Sequence, residues 1–137
     1  MLVTSRNYLT RHGTPKRLSD LSRHRAILYK LGHNARWKLS GPSGTETVLV
    51  HGVVNVDEMT FQVPLAEHGV GVAMLPLMVV DEALRTGRLV RVLPQYSRRE
   101  GAISLVYPEL RHVPKHIGLL RDFMYENLKR ELASYRG

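Results

Sequence analysis

The chain has 137 residues, 43% of them apolar and none of them cysteine, which allows one domain with a sizeable core and excludes disulfides, thiolate metal sites and a thiol nucleophile. Its formal net charge of +8 arises within residues 1–40, where basic side chains are scattered without a helix-turn-helix, zinc-finger or RNP motif, so a solvated basic surface is favoured over a DNA-binding face. No apolar run approaches the roughly 18 residues of a membrane span and no signal-peptide core is present, so we expect a cytoplasmic protein without membrane association.

The start of the chain predicts a strand, a short helix and a further helical turn. Residues 2–3 begin the strand, and Ser5 is a typical N-cap for a helix over residues 6–11. Pro15 prevents that helix from continuing. A second helical turn is expected over residues 18–21. Its candidate caps are Thr14 and Ser19.

The next stretch predicts two strands and a loop. Residues 26–31 are an apolar run of strand length, and Gly32 with Asn34 indicates a turn. Residues 37–40 alternate between apolar and polar, as a half-buried strand does. The Gly-Pro-Ser-Gly run over residues 41–44 is the strongest loop signal in the sequence.

Residues 48–76 predict a βαβ unit around which the rest is organised. The β-branched run over 48–54 indicates a strand, and Asn55 with Glu58 has the spacing of a capping box, so a helix is expected from about Val56. This helix carries Met59, Val63 and Ala66 on one face and ends at His68 or Gly69.

One residue conflicts with this helix. Pro64 removes a backbone hydrogen bond and crowds the carbonyl four residues earlier, so we expect a kink near Thr60. Residues 70–75, closed by Pro76, are apolar throughout and predict a strand that is covered on both faces.

The remaining elements continue the alternation of helices and strands. A helix is expected over residues 77–85, bounded by Pro76 and Gly87, with strands over 89–93 and 102–107. Pro114 opens the longest helix. Its apolar face carries Ile117, Leu120, Phe123, Met124 and Leu128. This order predicts an α/β fold with a mixed, largely parallel sheet flanked by helices.

No pattern in the sequence assembles a catalytic or metal site. Gly69 and Gly71 lack the third glycine and the strand-to-helix context of a dinucleotide fingerprint, so a tight turn is favoured. The residues 41–44 do not form a nucleophile elbow. His112 and His116 are separated by a proline and have no acidic partner, so we interpret the seven histidines as scattered surface residues. We therefore expect neither an enzyme nor a cofactor.

Several short motifs in combination resemble the effector-binding domain of LysR-type transcriptional regulators, mainly its second lobe. They are Tyr8-Leu9 with His12-Gly13-Thr14-Pro15, Gly69-Val70-Gly71 followed by Leu75-Pro76, and Gly87-Arg88-Leu89. The resemblance covers nearly the entire chain. Two departures from the family are expected. The first is the absence of its N-terminal winged helix-turn-helix and nearly all of its first lobe. The second is the helix after the 48–54 strand, which opens with Asp57-Glu58 instead of a small polar or amide residue and an acid, and has Pro64 where the family commonly has alanine.

The resemblance implies a type 2 periplasmic-binding-protein-like lobe that senses a small organic acid or amino acid. Residues 1–108 would form the second lobe with both crossover strands, and residues 109–137 a helix that returns to an absent first lobe. DNA would be bound only through an absent N-terminal domain, and the uncovered helix would drive self-association. The effector-binding residues implied are Pro42, Ser43, Gly44, Asp57, Glu58, Leu75 and Pro76.

A second interpretation stays open at this point. A stand-alone solute-binding or enzyme-like α/β domain could reuse the same lobe. A signal peptide or an assembled catalytic set upstream would favour this alternative, whereas an upstream winged helix-turn-helix would favour the regulator.

Overall fold

Six strands form one mixed sheet in the part of the chain that the computed structural model describes, which comprises residues 1–30, 34–98, 104, 106 and 115–134. The spatial order is β3-β4-β2-β5-β1-β6. The strands are β1 (Leu2–Thr4), β2 (Arg25–Tyr29), β3 (Asn34–Gly41), β4 (Gly44–Val56), β5 (Val72–Met74) and β6 (Val90–Val92).

The pairing of these strands is mixed, as predicted. β2 pairs in parallel with β4 and with β5. β1 pairs antiparallel with β5 and β6, and β3 pairs antiparallel with β4. The α/β class and the mixed sheet are confirmed, but the prediction that the sheet is largely parallel is wrong, because three of the five strand pairings in the described sheet are antiparallel.

Helices connect and follow these strands. The α-helices are α1 (Arg6–His12), α2 (Gln62–Glu67), α3 (Leu77–Arg85) and α4 (Lys115–Ser134), and two 3₁₀ helices span Leu18–Arg23 and Met59–Phe61. The chain divides into two compact units, Met1–Arg99 and Glu100–Gly137. The first contains all six strands and α1 to α3, and the second contains α4.

The opening of the first unit follows the sequence prediction closely. The Ser5 hydroxyl caps α1 by accepting a hydrogen bond from the Tyr8 amide at 3.3 Å, and Gly13 ends the helix at φ +81°. The helical turn at Leu18 is also present, but neither predicted cap is used. The Asp20 carboxylate instead accepts from the amides of Lys16 and Arg17, both at 2.9 Å, because it reaches back over the turn.

Strands β3 and β4 form a hairpin with the predicted alternation. Ala35, Trp37 and Leu39 are buried while the residues between them are exposed. Asn34 does not belong to a turn, since it begins β3 and pairs with His51; the predicted turn residue Gly32 lies outside the described residues.

The tip of this hairpin is fastened to the segment that follows β6. The backbones of Ser40 and Ser97 exchange two hydrogen bonds of 2.7 and 2.9 Å. The Tyr96 ring packs on Gly41, where a Cβ would lie 2.3 Å from a ring carbon, and its hydroxyl donates to Glu46 at 2.9 Å. The contact thus joins a strand at one end of the strand order to the segment that follows the strand at the other end.

The helix of the βαβ unit is shorter than the sequence predicted and begins later. Asn55 lies inside β4 rather than capping a helix, the 3₁₀ helix starts at Met59, and α2 starts at Gln62. Pro64 is therefore in the first turn of α2, where its missing amide costs no hydrogen bond. An α-helix through residue 60 would bring that residue's carbonyl against the proline ring, so the chain takes a 3₁₀ turn there instead of a kinked α-helix.

The core occupies both faces of the sheet. One cluster joins the hairpin and α1 to the sheet through buried side chains that include Tyr8, Trp37 and Val92. The other packs α2 and α3 through Ala66, Val80 and Ala83. The predictions of α3 and β6 are confirmed. The strand predicted over 102–107, the residue Pro114 and the boundary between 108 and 109 lie outside the residues described, apart from single positions at 104 and 106.

Candidate functional site

The carboxyl ends of four strands meet on one edge of the sheet. β2, β4 and β5 are mutually parallel, and β6 runs the same way because both it and β5 are antiparallel to β1. Ligands of open α/β sheets bind outside this edge. The amino end of β1 lies there too, since the Leu75 amide donates to the Met1 carbonyl at 2.9 Å. We call this boundary the carboxyl edge.

An open, mostly apolar hollow of about 520 Å³ lies at the carboxyl edge beyond β4. Asp57 and Glu58, both predicted site residues, line it at the strand exit rather than on a helix. Phe61 is 60% exposed, so an aromatic surface borders the hollow. The other lining residues are Val56, Pro64 and Leu65.

Leu75 and Pro76, also predicted, lie at the carboxyl edge after β5. The Leu75 side chain is 1% exposed and packs in the core, so only its backbone faces the edge. Pro76 is exposed and caps α3 in an extended conformation. These two residues shape the edge, and of the two only the Pro76 side chain is accessible to a ligand.

The structure does not bring Pro42, Ser43 and Gly44 to the hollow. Pro42 and Ser43 form the two-residue tip of the hairpin, and Gly44 follows at φ +108° as the first residue of β4. Asp57 follows the last residue of this 13-residue strand. At about 3.3 Å per residue, the chain between the two groups is roughly 40 Å long. The hairpin tip instead meets the segment at Ser97.

A cation that sequence reasoning missed lies beside the acidic pair. The Lys30 amide donates to the Val56 carbonyl at 3.0 Å, which places Lys30 next to the strand exit at Asp57. Its ammonium lies 5.3 Å from the centroid of the Tyr29 ring. Lys30 also has a left-handed backbone at φ +49°. The sequence gives no signal for this, because lysine is not a typical left-handed residue.

The other acidic side chains beside this region are paired. Arg88 binds Glu67 of α2 at 2.9 Å and Glu82 of α3 at 3.1 Å, and these two contacts raise its pKa. Asp81 lies 3.5 Å from Arg85 one turn later in α3. Arg88 therefore links α2 to α3, and Asp57 differs from these carboxylates because it has no cationic partner within the described chain.

A polar cluster lies at the opposite edge of the sheet. The hydroxyl of the buried Tyr8 accepts from the Arg25 amide at 2.9 Å and lies 3.1 Å from His24 Nδ1. The His12 ring stacks on Tyr8 at 4.5 Å. Burial lowers the pKa of His24, and the charge of His12 lowers it further. Two of the seven histidines are thus structural and not simply scattered on the surface, while His33 and His112 lie outside the described residues.

The described residues contain no group of three or more side chains that could hold a metal ion. No helix within the same residues is long and apolar enough to cross a membrane.

Comparison with known proteins gives consistent matches. The family described as LysR substrate binding domain matches residues 1–129. The uncharacterized HTH-type transcriptional regulator YhjC of Escherichia coli is 31% identical over 131 residues, which are 93% of this chain and 44% of that protein. An uncharacterized HTH-type transcriptional regulator of Haemophilus influenzae is 32% identical over 123 residues, which are 88% of this chain and 43% of that protein.

A solved structure matches as well. The regulatory domain of AphB in Vibrio vulnificus aligns with a TM-score of 0.64 and 27% identity, over 72% of this chain and 50% of that one. The chain spans less than half the length of the two curated relatives.

Proposed function

Since this chain belongs to the LysR substrate-binding domain family, we propose that it is the effector-sensing part of a transcriptional regulator and binds a small organic molecule at the carboxyl edge. Its fold is that of LysR regulatory domains. The observation that carries the proposal is the hollow beyond β4, where exposed Phe61 lies together with Asp57, which forms no ion pair with another described residue. Apolar concave sites with a few polar groups are what small ligands require.

The proposal assigns different parts to the predicted site residues. Asp57 and Glu58 supply polar contacts at the rim of the hollow, and Pro76 lies on the same carboxyl edge after β5. Leu75 contributes through its backbone. Pro42, Ser43 and Gly44 are not among the residues that line the hollow, so a ligand contact at Ser43 stays a separate prediction, tested by a Ser43→Ala variant.

We further propose that the protein is not an enzyme and acts in the cytoplasm, as its relatives are described as transcriptional regulators. Residues 1–108 would be the second lobe and residues 109–137 a helix that returns to a first lobe. DNA would be read by a separate domain of the regulator, since the basic residues of this chain follow no groove-reading pattern.

We also propose self-association through α4. This helix presents Leu120, Phe123, Met124 and Leu128 at helical spacing. The described part of its unit has no second element against which this stripe could pack. LysR-type regulators act as oligomers, which fits an apolar surface of this kind.

The test is a ligand screen with variants of the hollow. The protein is titrated with small acids, amino acids and neutral analogues, and ligand-induced thermal stabilisation is measured. Phe61→Ser and Asp57→Asn should each weaken the stabilisation by active compounds, whereas Ser43→Ala should not. If the folded Phe61→Ser and Asp57→Asn variants are stabilised by the active compounds as much as the original protein is, the ligand site lies elsewhere.

A further inference from the structure

We infer that the carboxyl edge binds a zwitterion, with its cationic group at Asp57, its anionic group at Lys30 and an apolar body in the hollow. This inference rests on the proposed function, because it names the class of effector for the same site. Four observations carry it: the adjacency of the two residues, the backbone of Lys30, the position of its ammonium and the lack of an ion pair at either charge within the described residues.

Lys30 and Asp57 lie on neighbouring strands at the same level of the sheet. Tyr29 is in register with Val56, and the next residue, Lys30, donates its amide to the Val56 carbonyl at 3.0 Å. Adjacent strands are about 4.8 Å apart. Both charged side chains can therefore reach one small molecule at the edge.

The backbone of Lys30 carries a cost that another residue would avoid. Lys30 and Leu93 are the non-glycine residues with positive φ in the described chain, and they directly follow β2 and β6 at the carboxyl edge. A left-handed conformation costs roughly 1–2 kcal/mol for a residue with a Cβ, and glycine would avoid this cost. Strain of this kind clusters at ligand sites.

The ammonium of Lys30 lies over the ring of Tyr29, the last residue of β2. It lies 5.3 Å from the centre of the half-buried Tyr29 ring, a cation–π distance. Within the described chain neither Lys30 nor Asp57 forms an ion pair, although Glu67, Asp81 and Glu82 all do. An anion on Lys30 and a cation on Asp57 would each complete a charge-assisted contact.

The two charges also disfavour ligands with only one charge. A simple anion would be repelled by Asp57 and Glu58, and a simple cation would be repelled by Lys30. A ligand with both groups meets attraction at both positions. An apolar amino acid is the simplest molecule that combines these groups with a body suited to Phe61.

The experiment compares three versions of one ligand by titration calorimetry at low ionic strength. They are an apolar amino acid (alanine, leucine or phenylalanine), its N-acetyl form, which is only anionic, and its decarboxylated amine, which is only cationic. The best amino acid should bind about tenfold more tightly than either relative, as expected for one charge-assisted contact. Lys30→Met should reduce its affinity to that of the amine. Lys30→Arg should preserve the preference, and Lys38→Met, an exposed lysine on β3, should leave it unchanged.

The outcomes separate this inference from the proposed function. Tightest binding by the anion or the amine, weakened by Phe61→Ser, would overturn the inference and leave the proposed function intact. Binding of all three that ignores Phe61→Ser would count against the proposed function itself. The zwitterion inference would also be overturned if none of the amino acids bound the folded protein. The same holds if the Lys30→Met variant still bound the amino acid more tightly than the amine.

Discussion

Replacing Tyr8 by phenylalanine should destabilise the protein through one oxygen atom. The substitution keeps the buried ring but removes the hydroxyl that accepts from the Arg25 amide at 2.9 Å and contacts His24 Nδ1 at 3.1 Å. Removing one partner of a buried hydrogen bond costs about 1–3 kcal/mol. Because the Arg25 amide is only partly buried, we expect a loss of about 1.5 kcal/mol, or roughly 5 °C in Tm for a chain of this size.

The assay is urea unfolding followed by circular dichroism, with Tyr125→Phe as the matched control. Tyr125 is 60% exposed in α4, so loss of its hydroxyl should change the free energy of unfolding by less than about 0.5 kcal/mol. Equal stability of the two variants would refute the argument, since it would mean that water replaces the Tyr8 hydroxyl at no cost.

Three further predictions concern packing, pH and assembly. Gly71→Ala should lower the free energy of unfolding by about 1–3 kcal/mol, because the added Cβ would lie 2.6 Å from the Arg25 carbonyl oxygen. Gly118→Ala, in open space on α4, should raise it by about 0.5–1 kcal/mol. Burial lowers the pKa of His24 from its usual 6.5, so the free energy of unfolding should decrease as the pH falls below 6.5. His24→Gln should flatten the stability–pH profile below that pH. An unchanged slope in this variant would contradict the assignment of the pH dependence to His24. Leu120→Glu should shift the protein toward monomer in sedimentation if α4 mediates self-association, and an unaltered oligomer would exclude that surface.

Much of the fold followed from local signals. Ser5 caps α1 and Pro76 precedes α3 as their sequence contexts indicated, because caps and helix-opening prolines depend on immediate neighbours. The alternation of buried and exposed residues in β3 was equally predictable, since one face of the hairpin is buried and the other is exposed to water. The family resemblance rested on such local signals in combination, and the family match confirms it.

The errors came from tertiary pairing. Asn55 and Glu58 have the spacing of a capping box, but β4 continues through Val56 because β2 pairs with it as far as Tyr29. A backbone already bonded to a neighbouring strand is not available to start a helix.

The candidate site was only partly predictable for a similar reason. Asp57 can be recognised in the sequence as an acid at a position where the family usually has a small polar or amide residue. The neighbouring position of Lys30 follows from the register between β2 and β4, which cannot be read from the sequence because 26 residues lie between Lys30 and Asp57. The Tyr8 cluster likewise joins side chains from different elements. Single-sequence patterns report periodicity along one element and carry little information about which elements meet.

The contact between Ser40 and Ser97 has a consequence for how the protein is made. It closes a loop of 57 residues, and it joins the tip of an early hairpin to nearly the last residue of the first unit. Closing such a loop is entropically costly and must wait for its second end. During synthesis, Gly41 would remain without the cover of the Tyr96 ring until that residue leaves the ribosome. The nascent chain should therefore stay protease-sensitive at the hairpin until late in translation, and then become resistant in a single step.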